Sequence, residues 1–157
     1  ILSVNVVVFC MWQNLSWRRF MAKNFAISTA AVTQEGRFHT IITSFFSHYD
    51  WVHLGANMCC LWFFGAETLR ILGGRKFLAL YVGGGLVSSI FQVLWPRIAP
   101  EKVRYSPYQL GLGARQESCN GAVNAVVAYN ILTYPSRIIL IYAIFPVPAA
   151  ALGLMFL

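Results

Sequence analysis

Charge is scarce in this chain: charged side chains make up 11% of its 157 residues, and five of them are acidic. Those acids, Glu35, Asp50, Glu67, Glu101 and Glu117, are scattered. Chemistry that needs two neighbouring carboxylates for general acid and base work is therefore not expected. Histidine is confined to His39, His48 and His53, and none follows in the sequence. His48 and His53 lie five apart, no cysteine or carboxylate cluster completes a ligand shell around them, and no metal is expected. The cysteines, Cys10, Cys59, Cys60 and Cys119, show no C-x-x-C spacing. Cys59 and Cys60 are adjacent and point to different sides of a helix, so they read as small apolar residues at helix contacts rather than a disulfide or zinc pair. The glycine run at 83–85 does not satisfy G-x-G-x-x-G, which removes the phosphate loop, and no cofactor is expected. The chain has no initiator methionine, signal peptide or transit peptide, and opens at Ile1 inside an apolar run, so further residues upstream are expected.

What is abundant is apolar surface. Hydrophobic residues form 58% and aromatics 15% of the chain, with a mean hydropathy of +0.61. That leaves too little charge to clothe a soluble globule of this size, and the length is that of one domain. The expected fold class is all-α: a polytopic transmembrane helical bundle, with residues 1–157 as a single domain. Twelve Lys and Arg against five acids give a net charge of +7. These cations are dispersed in short loops between apolar runs, which suits anionic lipid headgroups. The basic and aromatic segment from Trp17 to Arg37 suits the membrane interface, and no nucleic-acid motif accompanies it, so no nucleic-acid partner is expected.

Along the chain, Ile1–Trp12 is apolar but short for a span and reads as the end of a first core helix. The second helix is expected over Trp51–Leu69, ending at Gly73 and Gly74. Glu67, near that end beside Arg70, Arg75 and Lys76, is expected to pair with a nearby cation. Lys76–Trp95 is a third span, in which Gly83, Gly84, Gly85, Ser88 and Ser89 allow a neighbouring helix to approach closely. A polar connection, 96–118, leads to a fourth helix over Gly121–Leu132, whose Gly121 and Ala125 form a small-x-x-x-small pair. Tyr134 and Pro135 end it. A further apolar stretch, Ile138–Phe145, is interrupted by Pro146 and Pro148, and a fifth helix is expected to begin near Pro148.

The stretch Ser44–Gly65, SFFSHYDWVHLGANMCCLWFFG, holds the groups that are hardest to place in lipid. His53 and Asn57 are four apart and share one face of an otherwise apolar helix. A polar stripe of that kind must face other helices or a water-filled cavity. The pattern H-x4-H-x3-N of His48, His53 and Asn57, followed by Phe64, Gly65 and Glu67, resembles the second core helix of the rhomboid intramembrane serine proteases. The segments 36–48 (GRFHTIITSFFSH), 111–114 (GLGA), 121–125 (GAVNA) and 144–153 (IFPVPAAALG) are most similar to the mitochondrial, presenilin-associated branch. The resemblance implies that His53 and Asn57 line an oxyanion hole in active members, and that the start of the fourth helix lies beside them. A Trp-Arg pair common in the membrane-edge loop of the family is absent, and His39 and Thr40 take its place.

Two departures from the family pattern bear on activity. An active rhomboid carries a serine directly before the glycine that opens the fourth helix, whereas Asn120 precedes Gly121 here. A carboxamide is no activated nucleophile. Ser118 and Cys119 are the nearest replacements, but a shift of one or two residues turns a helical side chain by roughly 100–200°. The family base is a histidine on a sixth helix, and no histidine follows His53. The expectation is a rhomboid-like core lacking its last helix, truncated at both ends relative to the family. Its expected role is a pseudoprotease, a structural or binding subunit of a membrane complex in the mitochondrial inner membrane, with other subunits and membrane lipids as partners. His53 and Asn57 are then either oxyanion-type remnants or an interhelical hydrogen-bond pair. The alternatives are an active protease cleaving transmembrane substrates, its motif misread and its sixth helix unrecorded, and a factor that grips transmembrane helices without cutting them.

Overall fold

The computed structural model describes residues 1–48, 50–98, 121–141 and 145–148. Helix α1, Leu2–Gln13, stops at Asn14, whose extended backbone (φ −80°, ψ 116°) leaves the helix and whose side chain accepts the Ser16 amide. The far end of α1 is anchored by Trp12, whose Nε1 donates to Ser47 Oγ at 2.8 Å in a buried setting. Three short helices follow: α2 (Arg18–Phe25), α3 (Thr29–Thr33) and α4 (Thr40–Thr43). Ser28 caps α3 through the Ala31 amide. Arg37 closes this region on itself, with one guanidinium nitrogen on the Lys23 carbonyl and another on Glu35, each at 2.8 Å.

The main body begins with α5, Trp51–Cys60. Asp50 opens it by accepting the His53 amide at 3.0 Å, which satisfies an orphan donor and places a negative charge at the helix start. A π turn, Leu61–Gly65, carries α5 into α6, Ala66–Ile98. Gly73 interrupts α6 with φ 75° and ψ 164°, a conformation essentially reserved for glycine. The chain folds back there, so that Gly65 before the break lies against Phe77 beyond it. The result is an antiparallel pair of arms of about 20 residues each, the length needed to cross a hydrocarbon core. This hairpin reproduces the expected second and third helices, including the break at Gly73. The run Trp51–Ile98 is long and apolar enough to cross a membrane. Val87, Ile90, Phe91 and Leu94 form an exposed apolar stripe at helical spacing on its second arm.

Helix α7, Gly121–Thr133, packs antiparallel to the second arm, Gly121 against Ser88 and Ala125 against Gly84. It runs parallel to the first arm, because Asn130 near its end reaches Phe64 and Thr68. The core between the three consists of Phe45, Leu61, Phe77, Tyr81, Ala122, Val123 and Val126. A second cluster, Val8, Trp12, Met21 and Ala26, holds α1 to α2.

Helices thus make up the body of the described chain, as the composition implies. The apolar stretch after α7 departs from helix: β1 (Ile138–Ile141) and β2 (Phe145–Pro148) pair antiparallel, Ile138 opposite Pro148 and Leu140 opposite Pro146. Two prolines two residues apart remove the amides a helix would need there. The fifth helix expected from Pro148 lies outside the described residues.

Candidate functional site

His48 meets His53 at the first turn of α5, and Asn57 follows one turn later on the same face as His53. Asp50 caps that helix through the His53 amide, and the i, i+4 spacing puts His53 and Asn57 on one face. Asn57 is 9% exposed, and His53 is half-buried. The Asn57 Nδ2 donates to the His53 backbone carbonyl at 2.8 Å, within its own helix. One of the two N–H groups of the carboxamide is therefore committed to the backbone. The His53 ring meets His48 edge to face, with centroids 5.6 Å apart.

His48 is the most enclosed member, 1% exposed. Its Nδ1 lies 3.4 Å from the Phe46 carbonyl, and its Nε2 is buried without a hydrogen-bond partner among the described residues. Burial pushes the His48 imidazole below its ordinary pKa; the Phe46 carbonyl opposes that shift, and the neighbouring His53 adds to it. The ring is held neutral, as a hydrogen-bonding group rather than a cation. The parallel course of α5 and α7 places Gly121 toward the Asn57 end of α5. Asn120, Ser118 and Cys119, the positions that decide the nucleophile, lie outside the described residues. The cluster as it stands can offer N–H donors and a neutral imidazole to a developing negative charge.

The approach of α7 to the hairpin is set by small residues. A Cβ added to Gly84 would lie 2.2 Å from the Ala125 Cβ, and one added to Gly121 would lie 2.0 Å from the Ser88 Cβ. At the other end a polar group does the joining. Asn130 Nδ2 lies 2.7 Å from Thr68 Oγ1 and 2.8 Å from the Val126 carbonyl, with the Phe64 carbonyl at 3.3 Å. Thr68 Oγ1 itself donates to that Phe64 carbonyl at 2.7 Å. Phe64 belongs to the π turn, so the two side chains serve a carbonyl where the ordinary helical ladder is interrupted. This link was not singled out in the sequence, although an asparagine within an apolar helix carries the same signal at 130 as at 57. Glu67 pairs with Arg137, 70 positions away, rather than with a cation of its own turn. Arg137 also lies over the Tyr134 ring, 4.8 Å from its centroid.

Comparison with known protein families matches the Rhomboid domain over residues 35–157. The chain belongs to the rhomboid family, and its relatives place it with the mitochondrial branch. RHOMBOID-like protein 12, mitochondrial, of Arabidopsis thaliana is 37% identical over 96% of this chain and 45% of its own length. Rhomboid protein 1, mitochondrial, of Saccharomyces cerevisiae is 34% identical over 96% of this chain and 40% of its own length. Presenilin-associated rhomboid-like protein, mitochondrial, of Homo sapiens is 32% identical over 82% of this chain and 30% of its own length. The chain thus spans less than half the length of these relatives. No solved structure gives a significant match.

Proposed function

We propose that this chain is the core of a rhomboid-like pseudoprotease: an integral membrane protein that keeps the family's helical frame without its chemistry and serves as a structural or binding subunit of a complex in the mitochondrial inner membrane. The observation that carries the reading is Asn120 directly before Gly121, where the family pattern requires serine. A carboxamide cannot be activated to attack a peptide carbonyl. His53 and Asn57 then serve the fold, the Asn57 amide closing on the His53 carbonyl and the two histidine rings packing against each other. Membrane insertion is supported by the two arms around Gly73 and their outward apolar stripe, and the mitochondrial setting by the names of the relatives.

A second reading, an active rhomboid protease cleaving transmembrane substrates, is favoured by one observation. His53 and Asn57, the positions that line the oxyanion hole in active members of the family, are both kept and share one face of α5. A fluorophosphonate probe separates the two. The pseudoprotease reading expects no specific labelling of the chain in mild detergent, with Ser118→Ala and Cys119→Ala indistinguishable from the unaltered protein. Labelling abolished by Ser118→Ala would establish a working nucleophile and replace the first reading with the second.

A further inference from the structure

The turn at Gly73 collects cations. Arg70 precedes it, Arg75 and Lys76 follow it, all three are exposed, and Arg137 joins them from beyond α7. Among the described residues one carboxylate, Glu67, stands against these, and it is already paired with Arg137. Beside this turn lies an open surface cavity of about 510 Å³, lined among others by Trp62, Phe63, Glu67, Arg70, Ile71 and Tyr134. Its two ends differ in chemistry. Arg70 and the Glu67–Arg137–Tyr134 group sit at the turn, while Trp62 and Phe63, 65% and 67% exposed, sit deeper along the arm. Phe63 and Arg70 are seven residues apart, so they share a helix face two turns apart, about 10 Å along the axis.

We propose that this cavity is a binding site for an anionic phospholipid, with the headgroup phosphate at Arg70 and an acyl chain along Trp62 and Phe63. The charge balance among the described residues selects an anion: Glu67 is paired with Arg137, and Arg70, Arg75 and Lys76 remain exposed around the turn. The aromatic wall selects a lipid over a free phosphate, because a small anion has no use for two outward aromatic rings two turns below the cation. Tyr134 and the Arg137 lying over it form the rim at headgroup depth, where aromatic and basic residues are at home. The site is on the side of the first arm served by Trp62, Phe63 and Arg70, and it shares no residue with the His48, His53 and Asn57 cluster.

The proposal rests on the membrane reading above, and flotation of the intact chain with vesicles checks that reading separately. The test is native mass spectrometry of the full chain released from mild detergent, after exposure to phosphatidylglycerol or to phosphatidylcholine with the same acyl chains. Phosphatidylglycerol should be retained over phosphatidylcholine, and inorganic phosphate should not displace it. Arg70→Gln should lower phosphatidylglycerol retention about fivefold, the effect of one basic residue at an anionic surface. Arg18→Gln, on α2, should leave it unchanged. Glu67→Gln, which removes the opposing carboxylate, should raise retention, so the variants move in opposite directions and a mere loss of folding cannot imitate both. Equal retention of the two lipids, equal losses from Arg70→Gln and Arg18→Gln, displacement by phosphate, or no gain from Glu67→Gln each overturns the site. A chain that floats with vesicles but retains no phosphatidylglycerol fails this proposal alone.

Discussion

At the scale of single residues, Gly84 and Gly121 have no room for a side chain. A methyl at Gly84 would meet both the Ala125 Cβ and, at 3.0 Å, the Gly121 carbonyl, neither of which can swing aside. Gly84→Ala and Gly121→Ala should each destabilise the protein by about 1–3 kcal/mol, the usual cost of overpacking. Gly83, one residue earlier, meets nothing within 4 Å, so Gly83→Ala should be neutral or stabilising by up to ~1 kcal/mol through helix propensity. Melting in a mild detergent reads all three, and an equal effect at 83 and 84 would show that the register of α6 on α7 is wrong. The glycine run announces a close approach in the sequence alone; which glycine carries it depends on a register that three consecutive glycines cannot encode. His48 supplies a pH response of definite sign. Its folded-state pKa lies below the ordinary 6.5, so the unfolded chain takes up the proton first as pH falls. The contribution of His48 to stability is therefore intact above about pH 6.5 and is lost progressively as pH drops from there toward its folded value. The melting temperature should fall as pH drops below about 6.5, and His48→Gln should flatten that dependence. An unchanged slope in the variant would assign the acid response to other groups.

At the scale of elements, α7 is fastened to the hairpin at both ends by different means. Small residues set the distance at Gly121 and Ala125, and the Asn130–Thr68–Phe64 link sets the register at the far end. Thr68→Val keeps the shape and removes the hydroxyl, and Asn130→Ala removes the amide. Each should destabilise by roughly 0.6–2 kcal/mol, the range for polar contacts between membrane helices. Because the two side chains share one carbonyl and one mutual bond, their effects should be less than additive in a double-mutant cycle. Strict additivity would mean that the 2.7 Å contact carries no coupling. The helical hairpin was legible because Gly73 and Gly74 interrupt an apolar run whose two halves each match a span. The strands at Ile138–Ile141 and Phe145–Pro148 were not, since short apolar runs suit helix and strand alike until Pro146 and Pro148 are given a pairing partner. The partner of Glu67 is not legible for a related reason: local spacing favours Arg70, while the Arg137 pairing depends on where the chain leaves α7. Asn57 was legible as a buried group, but its choice of the His53 carbonyl within its own helix depends on the side-chain conformation adopted in the fold.

At the scale of the whole molecule, the outward surface bears on the subunit role. A second open groove, about 560 Å³, runs along Leu80, Gly84, Val87, Phe91 and Ala125, and Asn124 stands exposed at its edge. Lipid tails satisfy the aliphatic walls of such a groove but offer nothing to a carboxamide, so an amide at this depth gains from a polar partner on another helix. Small residues on both walls let that helix come close. In the subunit reading the helix belongs to another chain; in the protease reading it belongs to the same polypeptide or to a substrate held briefly. The expected outcome is that the protein, solubilised gently from its native membrane, migrates on a native gel far above the mass of its own polypeptide, together with other chains. Asn124→Leu, which keeps the surface apolar and removes the amide, should shift it toward smaller species while its own stability stays within about 0.5 kcal/mol of the parent, as for a surface substitution. Migration without any companion chain in several mild detergents would remove the subunit reading. A companion that persists undiminished in Asn124→Leu would keep the complex and move its contact to another face of the bundle.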